Sequence, residues 1–362
     1  MPSPAIVVVG ASAGGVEALI TLVGALPPDL PAAVFVALHT SALPSALPRI
    51  LSRAGPLPAT AATDGAAIEA GAIYVAPAGH HLLLSRGHMH VVQGPRENGF
   101  RPAIDPLFRS AARASGPRVI AVVLTGLLDD GTAGLLTVKQ RGGVAIVQDP
   151  EEALAPSMPR SALTYVAVDY TARLAEMGPL IASLAWQRSV GGDIMPDETP
   201  AIAYGADGPL DVVGEEEGTP APFSCPECGG VLSEVRDGTL LRFRCQTGHR
   251  YSPQSVVAHQ KDALDHALAA ALTAVNERDL VLRRLADEAR SRRDASAARR
   301  FTAQAQAAEA HRKQMQQLLD QVEDALDDTV EDPSTGEGMI PCGAPEGLSA
   351  MSDATHGGHE PW

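Results

Sequence analysis

Within its first ten residues the chain enters Ile6-Val7-Val8-Val9, an unbroken β-branched run, and leaves it through Gly10-Ala11-Ser12-Ala13-Gly14-Gly15 into a helical pattern starting near Val16. An apolar run without polar alternation belongs to a strand buried on both faces, and a helix directly after it supplies one of the two covers. The pattern recurs. Ala33 to Leu38, Val119 to Leu124 and Val144 to Val147 are equally continuous, and Ala- and Leu-rich helical stretches separate them. Residues 1–188 therefore predict an α/β domain with a doubly wound, mostly parallel sheet. Ile73 to Ala76, Leu82 to Ser85 and Met89 to Val92, broken by Arg86-Gly87, predict an antiparallel hairpin insertion, read as a meander over all three runs.

The chain has 362 residues, enough for two or three folded units. Its net charge of -15 would suggest repulsion from nucleic acid, but the charge is unevenly placed. Residues 1–188 carry 13 acidic and 13 basic side chains, and residues 223–330 carry 16 and 15. Residues 189–222 hold 8 acids and residues 331–362 hold 6, both without Lys or Arg. These Gly-, Pro- and acid-rich tracts read as a disordered linker and a disordered tail. No apolar run approaches the ~18 residues of a membrane helix. Met1 to Gly10 has no basic segment before a short apolar stretch, so nothing directs export and the cytoplasm is the expected compartment.

In open parallel sheets, ligands bind beyond the carboxyl ends of the strands. Three polar residues fall there: Ser12 in a G-x-S-x-G turn, His39 after the second strand, and Asp130 in Thr125-Gly126-Leu127-Leu128-Asp129-Asp130-Gly131. Together they have the residue types of nucleophile, base and orienting acid. The helix start offers the N–H groups of Ala13, Gly14 and Gly15 to a developing oxyanion. Read separately, each has a plainer meaning: a phosphate-binding turn, a structural histidine, a capping aspartate. The glycines lack G-x-G-x-x-G spacing and no P-loop lysine follows, which weighs against nucleotide binding. Asp129 is expected to be exposed. His80 and His81 are expected to pack or face solvent.

Val8 to Gly15, the strand ending at His39, Arg101-Pro102-Ala103-Ile104-Asp105, Leu124-Thr125-Gly126 to Asp130-Gly131, and Met158-Pro159-Arg160 occur in the order of the catalytic domain of chemotaxis protein-glutamate methylesterases (CheB), which residues 5–188 resemble. The resemblance implies hydrolysis of glutamate methyl esters on chemoreceptors, with deamidation of glutamines as a second activity, and no cofactor for catalysis. It carries the nucleophile to Ser12, the general base to His39 and the orienting acid to Asp130. It also brings Arg101 and Arg160 toward the substrate; for these a salt bridge to Asp105 or Glu97 is the competing reading. The chain departs from the family at Ala13 (commonly Thr), Phe100 (His) and Leu128, where the segment usually reads Gly-Met-Gly. These departures, with no receiver domain before Ser12, motivate a rival reading as a signalling scaffold with little turnover. Control is then expected from elsewhere, or not at all.

Past the linker, Cys225-x2-Cys228 and Cys245-x3-His249 are separated by 16 residues containing the turn Asp237-Gly238. Two short-spaced ligand pairs on turns predict a structural zinc ribbon over 223–252, and four protein ligands leave no open position for catalysis. Cys342 sits in the tail and is no ligand candidate. Ser252-Pro253 predicts a helix start. Seams through Val257, Leu264, Leu268, Ala271, Val275, Leu282 and Leu285, then Phe301, Ala305, Ala308, Met315, Leu319, Val322 and Leu326, predict a helical hairpin or coiled coil over 253–330. It is expected to pack on itself or to meet a protein partner or a second copy. Arg290, Arg292, Arg293, Arg299 and Arg300 cluster at its turn without aromatics and read as a solvated face, not a nucleic-acid site.

Overall fold

The computed structural model describes residues 4–39, 45–85, 87–189, 218–237 and 240–327. Most of the expected linker and the whole acidic tail, Cys342 included, lie outside these residues. The first strands are β1 (Ala5–Ala11), β2 (Ala32–Leu38), β3 (Ala59–Ala61), β4 (Ile73–Val75), β5 (His81–Ser85), β6 (His88–Val92), β7 (Val119–Val123), β8 (Val144–Gln148) and β9 (Tyr170–Ala172). Between them run α1 (Gly15–Gly24), α2 (Leu47–Ala54), α3 (Ile104–Ser115), α4 (Thr132–Gln140), α5 (Ser157–Tyr165) and α6 (Leu174–Ser189).

Seven strands form one parallel sheet in the order β3-β4-β2-β1-β7-β8-β9. Alternate residues of each strand serve opposite layers. Val7 and Val9 pack with Leu19, Leu22 and Leu51 of α1 and α2 and with Ile181 of α6. Ile6 and Val8 pack with Ile104, Phe108 and Leu135 of α3 and α4. This two-sided burial is why the strands read as continuous apolar runs. The chain adds strands on one side of β1 and then on the other, so β1 lies at the point where the order reverses. In open parallel sheets, such a reversal point is where ligands bind beyond the strand ends.

The expected meander is corrected in one part. Ile73–Val75 does not join the antiparallel piece; it pairs in parallel with β2 and β3 as β4. Only β5 and β6 form the antiparallel pair. Short β-branched strands carry little directional signal, and the main sheet offers β4 an edge with two apolar faces to bury.

A second, four-stranded antiparallel sheet comprises β10 (Thr219–Ser224), β11 (Val231–Asp237), β12 (Leu240–Cys245) and β13 (Arg250–Tyr251) in chain order. Its first strand begins inside the stretch expected as linker. Its core is small: Ala221, Leu232, Phe243, Tyr251 and Val256 with two cysteines. Two long helices follow, α7 (Pro253–Ser291) and α8 (Ala295–Asp327). Ser252 Oγ accepts the Ser255 N–H at 3.0 Å, capping α7 as its sequence predicts. Residues Met1–His266 form one compact unit and the chain from Ala267 a second. In the second unit Val275 and Leu282 pack with Phe301, Ala305 and Ala308. Arg290 reaches Thr302 and Arg283 reaches Glu309, so the helices run antiparallel away from their turn. Leu285, placed on the seam by its spacing, is 41% exposed. No helix among the described residues is long and apolar enough to cross a membrane.

Candidate active site

Ser12 follows β1, His39 follows β2 and Asp130 lies in the loop after β7. Ser12 Oγ is 3.0 Å from His39 Nδ1, and His39 Nε2 is 2.7 Å from Asp130 Oδ2. The three side chains thus form one hydrogen-bonded chain, although they stand far apart in sequence.

The Ser12 turn is fastened to the loop after β7. The Ser12 N–H donates to the Thr125 carbonyl at 3.0 Å, and Thr125 Oγ1 donates to the Ala13 carbonyl at 2.9 Å. Thr125 is itself held through its N–H by Gln148 Oε1 and through Oγ1 by the Ala155 N–H. Gly126 must be glycine: a Cβ there would lie 2.1 Å from Met158 Sδ and 2.8 Å from the Ser12 Cβ. The Gly15 N–H donates to the Ser12 carbonyl at 2.9 Å. This donor is therefore engaged inside the turn.

Asp130 is 1% exposed and caps a helix as well as bonding His39. Ile104 N–H donates to its Oδ2 at 2.7 Å and Asp105 N–H to its Oδ1 at 3.2 Å, both from the first turn of α3. Asn98 Nδ2 donates to Oδ1 at 3.0 Å. Burial pushes the carboxyl up, but the bond and charge of His39, the Ile104 N–H and the Asn98 amide together outweigh it, so Asp130 lies below the usual carboxylate range. Asp105 returns the cap: its Oδ1 accepts the N–H groups of Gly131 and Gly134 at the start of α4. Burial pushes Asp105 up to about 6; Arg242 and Arg109 oppose this, while Asp130 and Glu97 add to it.

Asp129 is not exposed. It is 9% exposed and accepts Ser252 Oγ–H at 2.7 Å, because the start of α7 closes over it. Burial raises its carboxyl despite the Ser252 bond. His81 is fully buried, with Nε2 on the Pro95 carbonyl and Nδ1 accepting the Ala103 N–H, while His80 Nδ1 meets the Ala78 carbonyl. Arg101 donates to the Gly94 carbonyl at 2.7 Å. Neither carboxylate expected as its partner takes it: Glu97 is held by Arg109 at 2.6 Å, and Asp105 lies 3.2 Å from Arg242. Arg160 is exposed on α5. Phe100, where the family commonly has histidine, stacks on His39 with centroids 3.7 Å apart and planes at 5°. Leu128 has φ 61, in the left-handed region that favours glycine. Leu154, 80% exposed, lies against Gly14, and Leu127 is 58% exposed.

Sequence reasoning missed Asn98 and the role of Glu97. The available signal was Asn98-Gly99, a dipeptide typical of two-residue turns. In the second sheet, Cys225, Cys228, Cys245 and His249 place their ligand atoms within 4.8 Å of one another. Cys225 Sγ to His249 Nδ1 is 3.6 Å, Cys228 Sγ to Cys245 Sγ 3.6 Å and Cys245 Sγ to His249 Nδ1 3.5 Å. Tetrahedral zinc with Zn–S near 2.3 Å and Zn–N near 2.0 Å would give edges of about 3.5 to 3.8 Å. The donor set and its spacing fit that ion.

Residues 7–181 match the family model described as CheB methylesterase. The protein-glutamate methylesterase/protein-glutamine glutaminase 1 of Caulobacter vibrioides is 37% identical over 192 residues, covering 52% of this chain and 56% of that protein. Protein-glutamate methylesterase/protein-glutamine glutaminase 6 of Anaeromyxobacter dehalogenans is 42% identical over 187 residues, covering 47% and 53%. The chain spans about half the length of the curated relatives it matches. The crystal structure of the Thermotoga maritima CheB methylesterase catalytic domain is 31% identical, covers 50% of this chain and 99% of its own, and superposes with a TM-score of 0.49. The matched stretch holds Ser12, His39 and Asp130 together with the segments that fasten them, and residues 7–181 of this chain are a CheB methylesterase domain.

Proposed function

We propose that the chain is a serine hydrolase that demethylates glutamate methyl esters on a chemoreceptor or similar signalling protein and deamidates glutamines at the same site. The observation that carries this reading is the hydrogen-bonded chain from Ser12 through His39 to Asp130 at three strand ends. Ser12 Oγ attacks the ester carbonyl while its proton passes to His39 Nδ1. The positive imidazolium keeps its Nε2–H on Asp130 Oδ2, an acid that stays ionised. The N–H groups of Ala13 and Gly14 meet the oxyanion. Collapse breaks the ester bond, and the Nδ1 proton leaves with methanol. Water then attacks the acyl-enzyme, giving its proton to His39, and Ser12 departs with that proton to leave free glutamate. With glutamine the first product is ammonia. Arg101 and Arg160 remain the proposed substrate cations, Arg160 being exposed on α5.

Zinc would be held by Cys225, Cys228, Cys245 and His249, where it fixes the ribbon and adds no chemistry to the ester. These three cysteines are not in disulfides, which suits a reducing cytoplasm. The α7–α8 hairpin is assigned to contact with a protein partner or a second copy, on the exposure of Leu280, Val281 and Leu285. Methanol release from a methylated receptor signalling domain tests the reading. Release is expected from the protein and not from its Ser12→Ala variant.

A further inference from the structure

Glu97-Asn98-Gly99-Phe100 folds as a two-residue turn. The Phe100 N–H donates to the Glu97 carbonyl at 2.9 Å, and Asn98 and Gly99 take φ 51 and 79. Positive φ at both central residues is what Asn-Gly supplies most readily. This turn delivers two groups to the candidate active site. Phe100 lies flat on the His39 ring, and the Asn98 amide donates to Asp130 Oδ1 at 3.0 Å and to Asp105 Oδ2 at 3.3 Å.

The other groups of the turn belong to the ribbon and the first turns of α7. Asn98 N–H donates to the Arg250 carbonyl at 2.7 Å, Ser252 N–H donates to Asn98 Oδ1 at 2.9 Å, and His259 Nε2–H donates to the Asn98 carbonyl at 3.1 Å. A Cβ on Gly99 would lie 1.8 Å from His259 Nε2, so the contact is close as well as polar. Glu97 is 1% exposed and faces Arg242 at 3.5 Å and Arg250 at 3.9 Å. Arg250 follows His249 directly, and Arg242 lies on β12, which ends in Cys245. Both ends of the ribbon's second ligand pair therefore lead into the turn that holds Asp130.

We propose that Asn98 is a positioning residue for Asp130 and that the metal-bound ribbon holds Asn98 in place, so that loading of the Cys225-Cys228-Cys245-His249 site sets the rate of the esterase. This rests on the esterase reading above. Asn98→Gly keeps the positive φ of the turn and removes only the side-chain amide, which avoids the strain other substitutions would introduce.

The test uses the full zinc-loaded chain, its chelator-treated form, Asn98→Gly, and Cys228→Ser, each checked for secondary structure by circular dichroism. Steady-state methanol release, phosphonate labelling of Ser12 and the low-field proton resonance of the His39 Nε2–H are read on each. Expected for Asn98→Gly is a fall in kcat of about 10- to 100-fold with KM little changed, and a displaced or broadened low-field resonance. Zinc removal, by chelator or by Cys228→Ser, should do the same to the wild type and add little to Asn98→Gly, since both act through one link. Unchanged kcat and resonance in Asn98→Gly overturns the proposal. So does a zinc effect that is equally large with and without the Asn98 amide. If the loaded wild type neither releases methanol nor labels at Ser12, the esterase reading falls instead, while the His39 resonance still shows whether zinc reaches the triad.

Discussion

At the scale of single residues, the loop after β7 carries both the acid and its cost. Leu128 sits at φ 61, a region where a branched side chain costs roughly 1 kcal/mol or more. Leu128→Gly removes that strain and loses some burial and chain stiffness. It is therefore expected to leave stability unchanged or raise it by about 1 kcal/mol, measured by urea denaturation. A loss above that size would show that Leu128 is not strained. Asp130→Asn should lower kcat by about 1,000- to 10,000-fold, because an amide cannot fix the imidazole tautomer. It should also weaken the start of α3, where Ile104 and Asp105 donate to this carboxylate. Equal activity in Asp130→Asn and wild type would remove Asp130 from the mechanism. The identical neighbours Asp129 and Asp130 illustrate what sequence conveys here. The Asp-Gly step singled out Asp130, but the burial of Asp129 depends on Ser252, which lies more than a hundred residues away, and no local pattern announces such a contact.

At the scale of elements, the parallel strands were legible because burial on both faces writes itself as uninterrupted Val, Ile and Ala. β4 was not, since a three-residue strand satisfies a parallel or an antiparallel neighbour equally well. The gathering of Cys225, Cys228, Cys245 and His249 was legible from their spacing, and the place of their sheet against the Asn98-Gly99 turn was not, because charge pairs such as Glu97 with Arg242 and Arg250 join distant segments. The ribbon's own core is a handful of side chains, so its folding is expected to need a metal ion at the Cys225-Cys228-Cys245-His249 cluster. Titration of the purified chain with a thiol-reactive mercurial should release a single zinc, and chelation should abolish the near-ultraviolet signal of Tyr251 and Phe243. Retention of that signal in metal-free protein would mean that packing alone folds the sheet.

At the scale of the whole molecule, buried carboxylates between the catalytic domain and the ribbon make stability depend on pH. Asp105 is raised to about 6 from 3.8, so it binds its proton more tightly folded than unfolded. The stability it contributes is fully present below about pH 4 and is lost as pH rises through about 6. Glu97 has the opposite sign. Burial raises it, but Arg109, Arg250 and Arg242 outweigh burial and hold it well below the carboxylate range. Its contribution is present above about pH 4.5 and is lost only in stronger acid. Between about pH 5 and pH 7.5, then, Asp105 is the carboxylate of this pair whose contribution changes. The stability of wild type relative to Asp105→Asn should fall by on the order of 1 kcal/mol across that window, and a flat difference would contradict the assignment. The account as a whole rests on catalysis at Ser12. The measurement that tests it most directly is methanol release from a methylated chemoreceptor signalling domain, comparing the zinc-loaded chain with its Ser12→Ala variant and with unmethylated receptor. Release that needs both Ser12 and the methyl ester is the predicted result; a folded, zinc-loaded chain that releases none, or a Ser12→Ala variant that releases as much, would contradict it.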